Sequence, residues 1–204
     1  MDDLRPQQRP ARLLRPEDFE RLYRGDPDPW RFATSDYERE KYAATIAALP
    51  RPRFARGFEV GCSIGVLTRQ LATRCDALLA VDVAETALAQ ARERCADLAH
   101  VTFARMAVPG EWPPKDEAGR RFDLVLFSEV LYYLGLGAIE ESARRTLACL
   151  EPGGTVLLVN WRGPTDGTCS GEEAAERFIA ACGGAVRHAQ LERAERYRLD
   201  VLAG

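Results

Sequence analysis

Residues 57–65, Gly57-Phe58-Glu59-Val60-Gly61-Cys62-Ser63-Ile64-Gly65, constrain this chain more than any other stretch. They read as a short apolar strand, a tight glycine turn, and the entry to a helix running from Val66 to about Cys75. Leu78–Asp82 follows as a second strand that ends on a carboxylate. Strand, glycine turn, helix, strand and terminal acid are the parts of a site for an adenosine-bearing cofactor. The question the sequence then has to answer is which cofactor.

Spacing separates the two candidates. A nicotinamide or flavin dinucleotide needs G-x-G-x-x-G, because the middle glycine lets the backbone approach the pyrophosphate at the helix N-terminus. Here the pattern is Gly61-x-x-x-Gly65, and the middle glycine is missing. Glu59, two residues before Gly61, would repel a pyrophosphate. The same charge suits the ammonium of a methionine moiety, so the loop favours S-adenosylmethionine. Asp82 can grip ribose hydroxyls in either case.

The rest of the chain is expected to build one α/β domain. From Phe54 onward strands alternate with helices: strands near 57–60, 78–82, 101–104, 122–127 and 155–160, and helices near 66–75, 85–96, 138–149 and 172–182. Leu124–Phe127 and Val156–Val159 are unbroken apolar runs, as in strands covered on both faces. Residues 187–193 and 197–202 are two strand-like runs with no helix between them, which predicts an antiparallel hairpin at one edge. The expectation is a doubly wound, Rossmann-like, mostly parallel seven-stranded sheet with a C-terminal antiparallel hairpin. Residues 1–15 read as a flexible tail. Residues 16–53 read as an N-terminal helical lid, with a helix from Pro16, a break at Asp26-Pro27-Asp28-Pro29, and a second helix near 37–49 capped by Thr34-Ser35-Asp36. Residues 54–204 make the cofactor-binding domain. Residues 106–121 carry three prolines and two glycines and are expected to be irregular.

Composition removes several function classes. The chain has 204 residues, a net charge of −3 and 29% charged residues, so no basic face points to nucleic acid. No apolar run reaches membrane-helix length and the N-terminus lacks a signal-peptide core, which predicts a cytoplasmic protein. Six dispersed cysteines without a C-x-x-C pair, and two histidines, predict no metal site and no disulfide framework.

Asp123 opens the fourth strand, which runs into Ser128-Glu129-Val130-Leu131-Tyr132-Tyr133, and Glu151-Pro152-Gly153-Gly154 precedes the fifth. With the loop and Asp82, this arrangement resembles the class I S-adenosylmethionine-dependent methyltransferases. Tyr23-Arg24-Gly25-Asp26-Pro27-Asp28-Pro29-Trp30, Thr34–Tyr42 and Ser128–Leu134 narrow the resemblance to the nodulation S-type N-methyltransferases. The resemblance implies a methyl transfer from S-adenosylmethionine, leaving S-adenosylhomocysteine, to a small-molecule acceptor: an amine nitrogen, as on an amino sugar or oligosaccharide, or alternatively an oxygen. A non-catalytic cofactor-binding member and a dinucleotide oxidoreductase remain the rivals. A monomer or homodimer is expected, with no nucleic-acid or membrane partner.

The cofactor-binding residues implied are Glu59, Gly61, Cys62, Ser63, Gly65, Asp82, Val83, Met106, Ala107, Ser128 and Val130, with Trp30 and Tyr37 from the lid. Relatives often carry a polar residue after the third strand; here Arg105-Met106-Ala107-Val108 leaves the adenine to backbone groups. Glu129 either deprotonates or orients an amine, or merely holds its loop. Tyr42, Tyr132, Tyr133, Trp161 and Arg162 are candidates for the acceptor side, where aromatic rings suit sugar stacking or enclosure of a cation. For the lid aromatics, simple docking of a helix face is the competing role.

Overall fold

The computed structural model describes residues 13–113 and 121–204. The tail expected at 1–15 therefore lies largely outside the described residues, as does part of the irregular stretch at 106–121. Among the described residues seven strands form one sheet: β1 Phe54–Val60, β2 Cys75–Asp82, β3 Val101–Arg105, β4 Phe122–Ser128, β5 Leu150–Trp161, β6 Arg187–Arg193 and β7 Tyr197–Ala203. The helices are α1 Pro16–Gly25, α2 Asp36–Ala47, α3 Val66–Leu71, α4 Glu85–Arg94, α5 Leu136–Cys149 and α6 Gly171–Cys182. The sheet order is β3-β2-β1-β4-β5-β7-β6. The first five strands are parallel; β7 runs antiparallel to both β5 and β6. Starting the order at β1 and winding both ways puts a switch point between β1 and β4, where such sheets open a crevice at the strands' carboxyl ends.

Side-chain alternation splits the two central apolar runs between the faces. Val125, Phe127, Val156 and Leu158 pack with Ile139 of α5 and Phe178 of α6. Leu124, Leu126, Leu157 and Val159 pack with Leu67 and Leu71 of α3 and Tyr42 of α2. Each fully buried side chain of this size contributes about 1.5–3 kcal/mol. No helix among the described residues is long and apolar enough to cross a membrane.

Several boundaries differ from the sequence reading. The helix expected to reach Cys75 stops at Leu71 and tightens into a 3-10 turn, Ala72–Arg74, because Cys75 is already paired with Phe54 at the start of β2. Glu151–Gly154 does not precede the fifth strand but lies within it. Leu150 pairs with Phe122 and Thr155 with Leu124, so the residues between bulge out, with Gly153 supplying a φ of 74°. The second N-terminal helix runs from Asp36 to Ala47, with Ser35 as its cap.

The N-terminal helices are docked rather than trailing. Glu20 of α1 accepts hydrogen bonds from Thr86 N (3.1 Å) and Thr86 Oγ1 (2.6 Å) in the first turn of α4. The break between α1 and α2 is held by Asp28, whose carboxylate accepts the amides of Phe32 (2.8 Å) and Ala33 (2.9 Å).

Gly65 belongs to the packing of helices. Its φ is 78°, and a Cβ there would lie 2.9 Å from Ala91 Cα of α4. Because the obstacle is backbone, no rotamer change relieves it. Gly65→Ala is expected to lose about 1–3 kcal/mol of stability from the left-handed strain and the clash. Urea unfolding checks this; a loss under about 0.5 kcal/mol, the scale of an ordinary surface substitution, would contradict it.

Candidate functional site

A cavity of about 360 Å³ lies at the carboxyl edge of the sheet. Gly61, Ser63, Asp82, Val83, Met106, Ala107, Ser128, Glu129 and Val130 form its floor and walls, and Tyr132 and Tyr133 close one end. Trp30 lines it from the N-terminal segment, as expected. Leu13, Leu14, Arg15, Phe19, Tyr23 and Phe32 line it too, and the sequence reading named none of them for the site. Leu13 to Arg15 had been read as tail. Phe19 and Tyr23 stand at helical spacing on α1, which was the available signal.

A side pocket of about 20 Å³, room for roughly one water-sized group, shares Gly61, Ser63, Ser128 and Glu129 with the cavity and adds Tyr42, Glu59 and Cys62. Tyr42 thus lines this side pocket beside Glu59 and not the main cavity. Cys62 contributes by position; its thiol is buried, and burial pushes its pKa well up, so the sulfur is not a reactive thiolate.

Besides Gly65, three positions with left-handed backbone shape the loops. Gly61 has φ 79°, Ser63 51° and Glu129 60°. A Cβ on Gly61 would fall 2.0 Å from Val130 Cγ2, so only glycine admits the loop beneath the turn after β4. Ser63 stands where a dinucleotide fingerprint has its middle glycine. Its hydroxyl is hydrogen-bonded to Tyr23 Oη at 2.5 Å.

The carboxylates divide by environment. Asp82 accepts Ser63 N (2.9 Å) on one oxygen and Ala84 N (2.9 Å) on the other, tying the glycine loop to the start of α4. Burial raises its pKa and these amides oppose the shift. Glu59 is 1% exposed, and burial pushes its carboxyl up to about 7. The Thr68 hydroxyl approaches it and offsets part of the shift, yet Glu59 Oε2 closes no hydrogen bond. A buried oxygen without a donor costs stability, and a cation or donor entering the side pocket would relieve that cost.

Glu129 accepts three hydrogen bonds. Oε1 accepts Lys41 Nζ at 2.6 Å; Oε2 accepts Trp161 N at 3.0 Å and the Tyr132 hydroxyl. Lys41 also pairs with Glu38 at 2.8 Å. Neither Lys41 nor Glu38 stood out in the sequence, because a charged helix face usually reads as solvated.

Four expected residues are not brought to either pocket. Gly65 packs on α4, as described above. Tyr37 stacks edge-on to Trp161 (5.7 Å) beneath Arg196 (4.0 Å), bracing α2 against the ends of β5 and β7. Trp161 is 7% exposed and donates its indole N–H to Pro164 O at 3.1 Å. Arg162 points to Glu172 (2.9 Å) and Ala194 O (2.6 Å), away from the cavity. The adenine expectation also changes. Met106 and Ala107 line the cavity, but their amides are already donated, to Asp82 O (3.0 Å) and Glu111 Oε2 (2.6 Å).

Sheet order, inserted antiparallel strand and glycine crevice together define a class I methyltransferase fold. The structure aligns with a nodulation protein S N-methyltransferase from Bradyrhizobium japonicum WM9, solved with S-adenosylhomocysteine (TM-score 0.76, 24% identity, 92% of this chain and 97% of that one). It also aligns with a Pseudomonas syringae chain described provisionally as a methyltransferase (TM-score 0.69, 33% identity, 82% and 99%). The chain belongs to the Nodulation protein S family, which it matches over residues 17–171. The Nodulation protein S of Rhizobium tropici is 32% identical over 133 residues, 64% of this chain. That match spans only 54% of the relative's own length.

The Glu59 pKa has a measurable consequence. A carboxyl raised in the fold supports stability only while protonated, so its contribution is full below about 4.5 and is lost as pH rises through about 7. The loss is on the order of 3 kcal/mol. Glu59→Gln should therefore gain on the parent as pH climbs, and thermal unfolding of both without ligand reads this. Parallel pH profiles would contradict it.

Proposed function

We propose that this chain transfers the methyl group of S-adenosylmethionine to an amine nitrogen on a small molecule. The observation that carries this is Glu59: a buried carboxyl with an undonated oxygen, one residue-pair below a glycine loop, in a pocket sized for one small group. Such a place favours an ammonium and disfavours a phosphate.

The residues present fit that ligand. Glu59 and the amides around Gly61 would receive the amino-acid tail. Asp82, with a lone pair left on each oxygen, would accept the ribose hydroxyls. Val83, Met106 and Trp30 supply apolar surface for the purine, and Phe19, Tyr132 and Tyr133 enclose the acceptor end. The cofactor would supply a methyl on a sulfonium that needs no further activation. What remains for the protein is alignment and exclusion of water, and alignment alone supplies about 7–11 kcal/mol.

Nitrogen is favoured over oxygen because the Bradyrhizobium japonicum relative is an N-methyltransferase. An amino sugar or oligosaccharide amine is the acceptor that the family resemblance suggests. We take the chain to act in the cytoplasm as a monomer or homodimer.

Calorimetry with S-adenosylhomocysteine tests the reading. Micromolar binding is expected, weakened at least about tenfold (about 1.4 kcal/mol) by Asp82→Ala, with no binding of NADH. Absence of micromolar binding, or binding indifferent to Asp82→Ala, would sink the assignment.

A further inference from the structure

The floor of the cavity carries a charge arrangement that methyl transfer does not by itself require. Lys41 is 1% exposed. Its ammonium lies between Glu129 (2.6 Å) and Glu38 (2.8 Å), with the rings of Tyr37 and Tyr42 5.2 and 5.7 Å away. The second oxygen of Glu129 holds Trp161 N and the Tyr132 hydroxyl. Three of its four lone-pair positions are taken, and the one left is on Oε1, the oxygen that holds the Lys41 ammonium.

The same carboxylate pins its own backbone. Glu129 has φ 60°, a conformation that a non-glycine residue keeps only when its surroundings impose it. Its amide donates to Val159 O at 2.8 Å, and its side chain is drawn down onto Lys41. The turn so fixed carries Ser128 and Val130, which wall the cavity, and Val130 fills the space beside Gly61. Lys41 therefore reaches the cofactor wall through Glu129 without touching the cavity itself.

Few other groups face this point. Glu38, Lys41 and Tyr42 approach from α2, Glu59 from β1, Asp82 from β2, Tyr23 and Arg15 from the N-terminal segment, and Tyr132 and Tyr133 from the turn after β4. Among the described residues lining the cavity, Asp82 and Glu129 are the carboxylates and no histidine is present. Asp82 has both oxygens on backbone amides. The acceptor end, built from Phe19, Tyr132, Tyr133, Leu134 and Ala138, is aromatic and apolar.

We propose that Lys41 is a positioning residue that withdraws Glu129 from proton chemistry and fixes the turn around it, so that the chain methylates amines that arrive unprotonated. This rests on the methyl-transfer reading above. The amine lone pair forms the N–C bond as the C–S bond breaks onto sulfur, and the product ammonium gives its proton to water. Nothing in the site has to accept it. An amine of low basicity is then the better acceptor at neutral pH, and a strongly basic amine reacts only through its small neutral fraction.

The test is the pH dependence of kcat/KM for the full chain with S-adenosylmethionine and three amines of different basicity: aniline, glucosamine and benzylamine. Each profile should rise to a plateau at the pKa of the amine used, so that the break moves with the amine. A break fixed at one pH for every amine would reveal a protein base and overturn the proposal. Glu129→Gln should leave the break where it is; its disappearance in that variant would also overturn it. Independently of turnover, Lys41→Met should weaken S-adenosylhomocysteine about tenfold by calorimetry, and Lys41→Arg should recover to within about threefold of the parent. Parent-like binding by Lys41→Met would remove the positioning role. If Lys41→Met does not fold, the amine series and Glu129→Gln still decide. Failure of the parent to bind S-adenosylhomocysteine would defeat the methyl-transfer reading and this inference with it. Binding with a fixed break would defeat this inference alone, and binding without turnover of any of the three amines would count against the amine class on which it depends.

Discussion

The carboxyl edge of the sheet depends on the Asp82 carboxylate. One oxygen holds the amide of Ser63 and the other the amide of Ala84. These bonds join the loop after β1 to the loop after β2, across the parallel pair that sets their spacing. Hydrogen bonds to a charged acceptor are about twice as strong as neutral ones, and they are needed here because Ser63 sits at φ 51° with a side chain. Ser63 in turn anchors Tyr23, and Tyr23 anchors α1. A single acid at the end of one strand therefore fixes the glycine loop and, through it, the segment that roofs the cavity.

Two charges near this acid have different fates, and the difference is one of supply. Glu59 and Glu129 are both at or near the sheet's carboxyl edge. Glu129 is reached by three donors, including an ammonium. Glu59 is buried with an oxygen that no protein donor reaches. The first is a finished structural element. The second is unfinished until a ligand arrives. A site that leaves one buried acid short of a donor stores a preference for a cationic group, and in the proposed reading the methionine end of the cofactor would supply it.

Much of this was legible in the sequence. Strand and helix periodicity gave the sheet, the paired C-terminal runs gave the hairpin, and Gly61, Glu59 and Asp82 pointed to residues that line the crevice at the sheet's carboxyl edge. What was hidden has a common physical cause: it depended on contacts between distant segments. Lys41 and Glu38 look like a solvated helix face until α2 is placed under β4. Leu13 and Leu14 look like tail until α1 is docked on α4. Trp161 ends β5 and Arg162 follows it, where site residues are expected, but pairing of β5 with β7 turns one into the core and the other toward α6. Gly65 looked like a ligand contact because spacing cannot tell a close approach to a ligand from a close approach to another helix. That the Ala107 amide is taken by Glu111 was equally hidden, because nothing local says that Glu111 folds back onto it.

A crystal structure of the full chain with S-adenosylhomocysteine tests the central claim most directly. The account predicts the amino group in the side pocket beside Glu59 and the ribose hydroxyls on Asp82, with Lys41 still bound to Glu129. A ligand seated elsewhere, or one whose amino group lies away from Glu59, would contradict it.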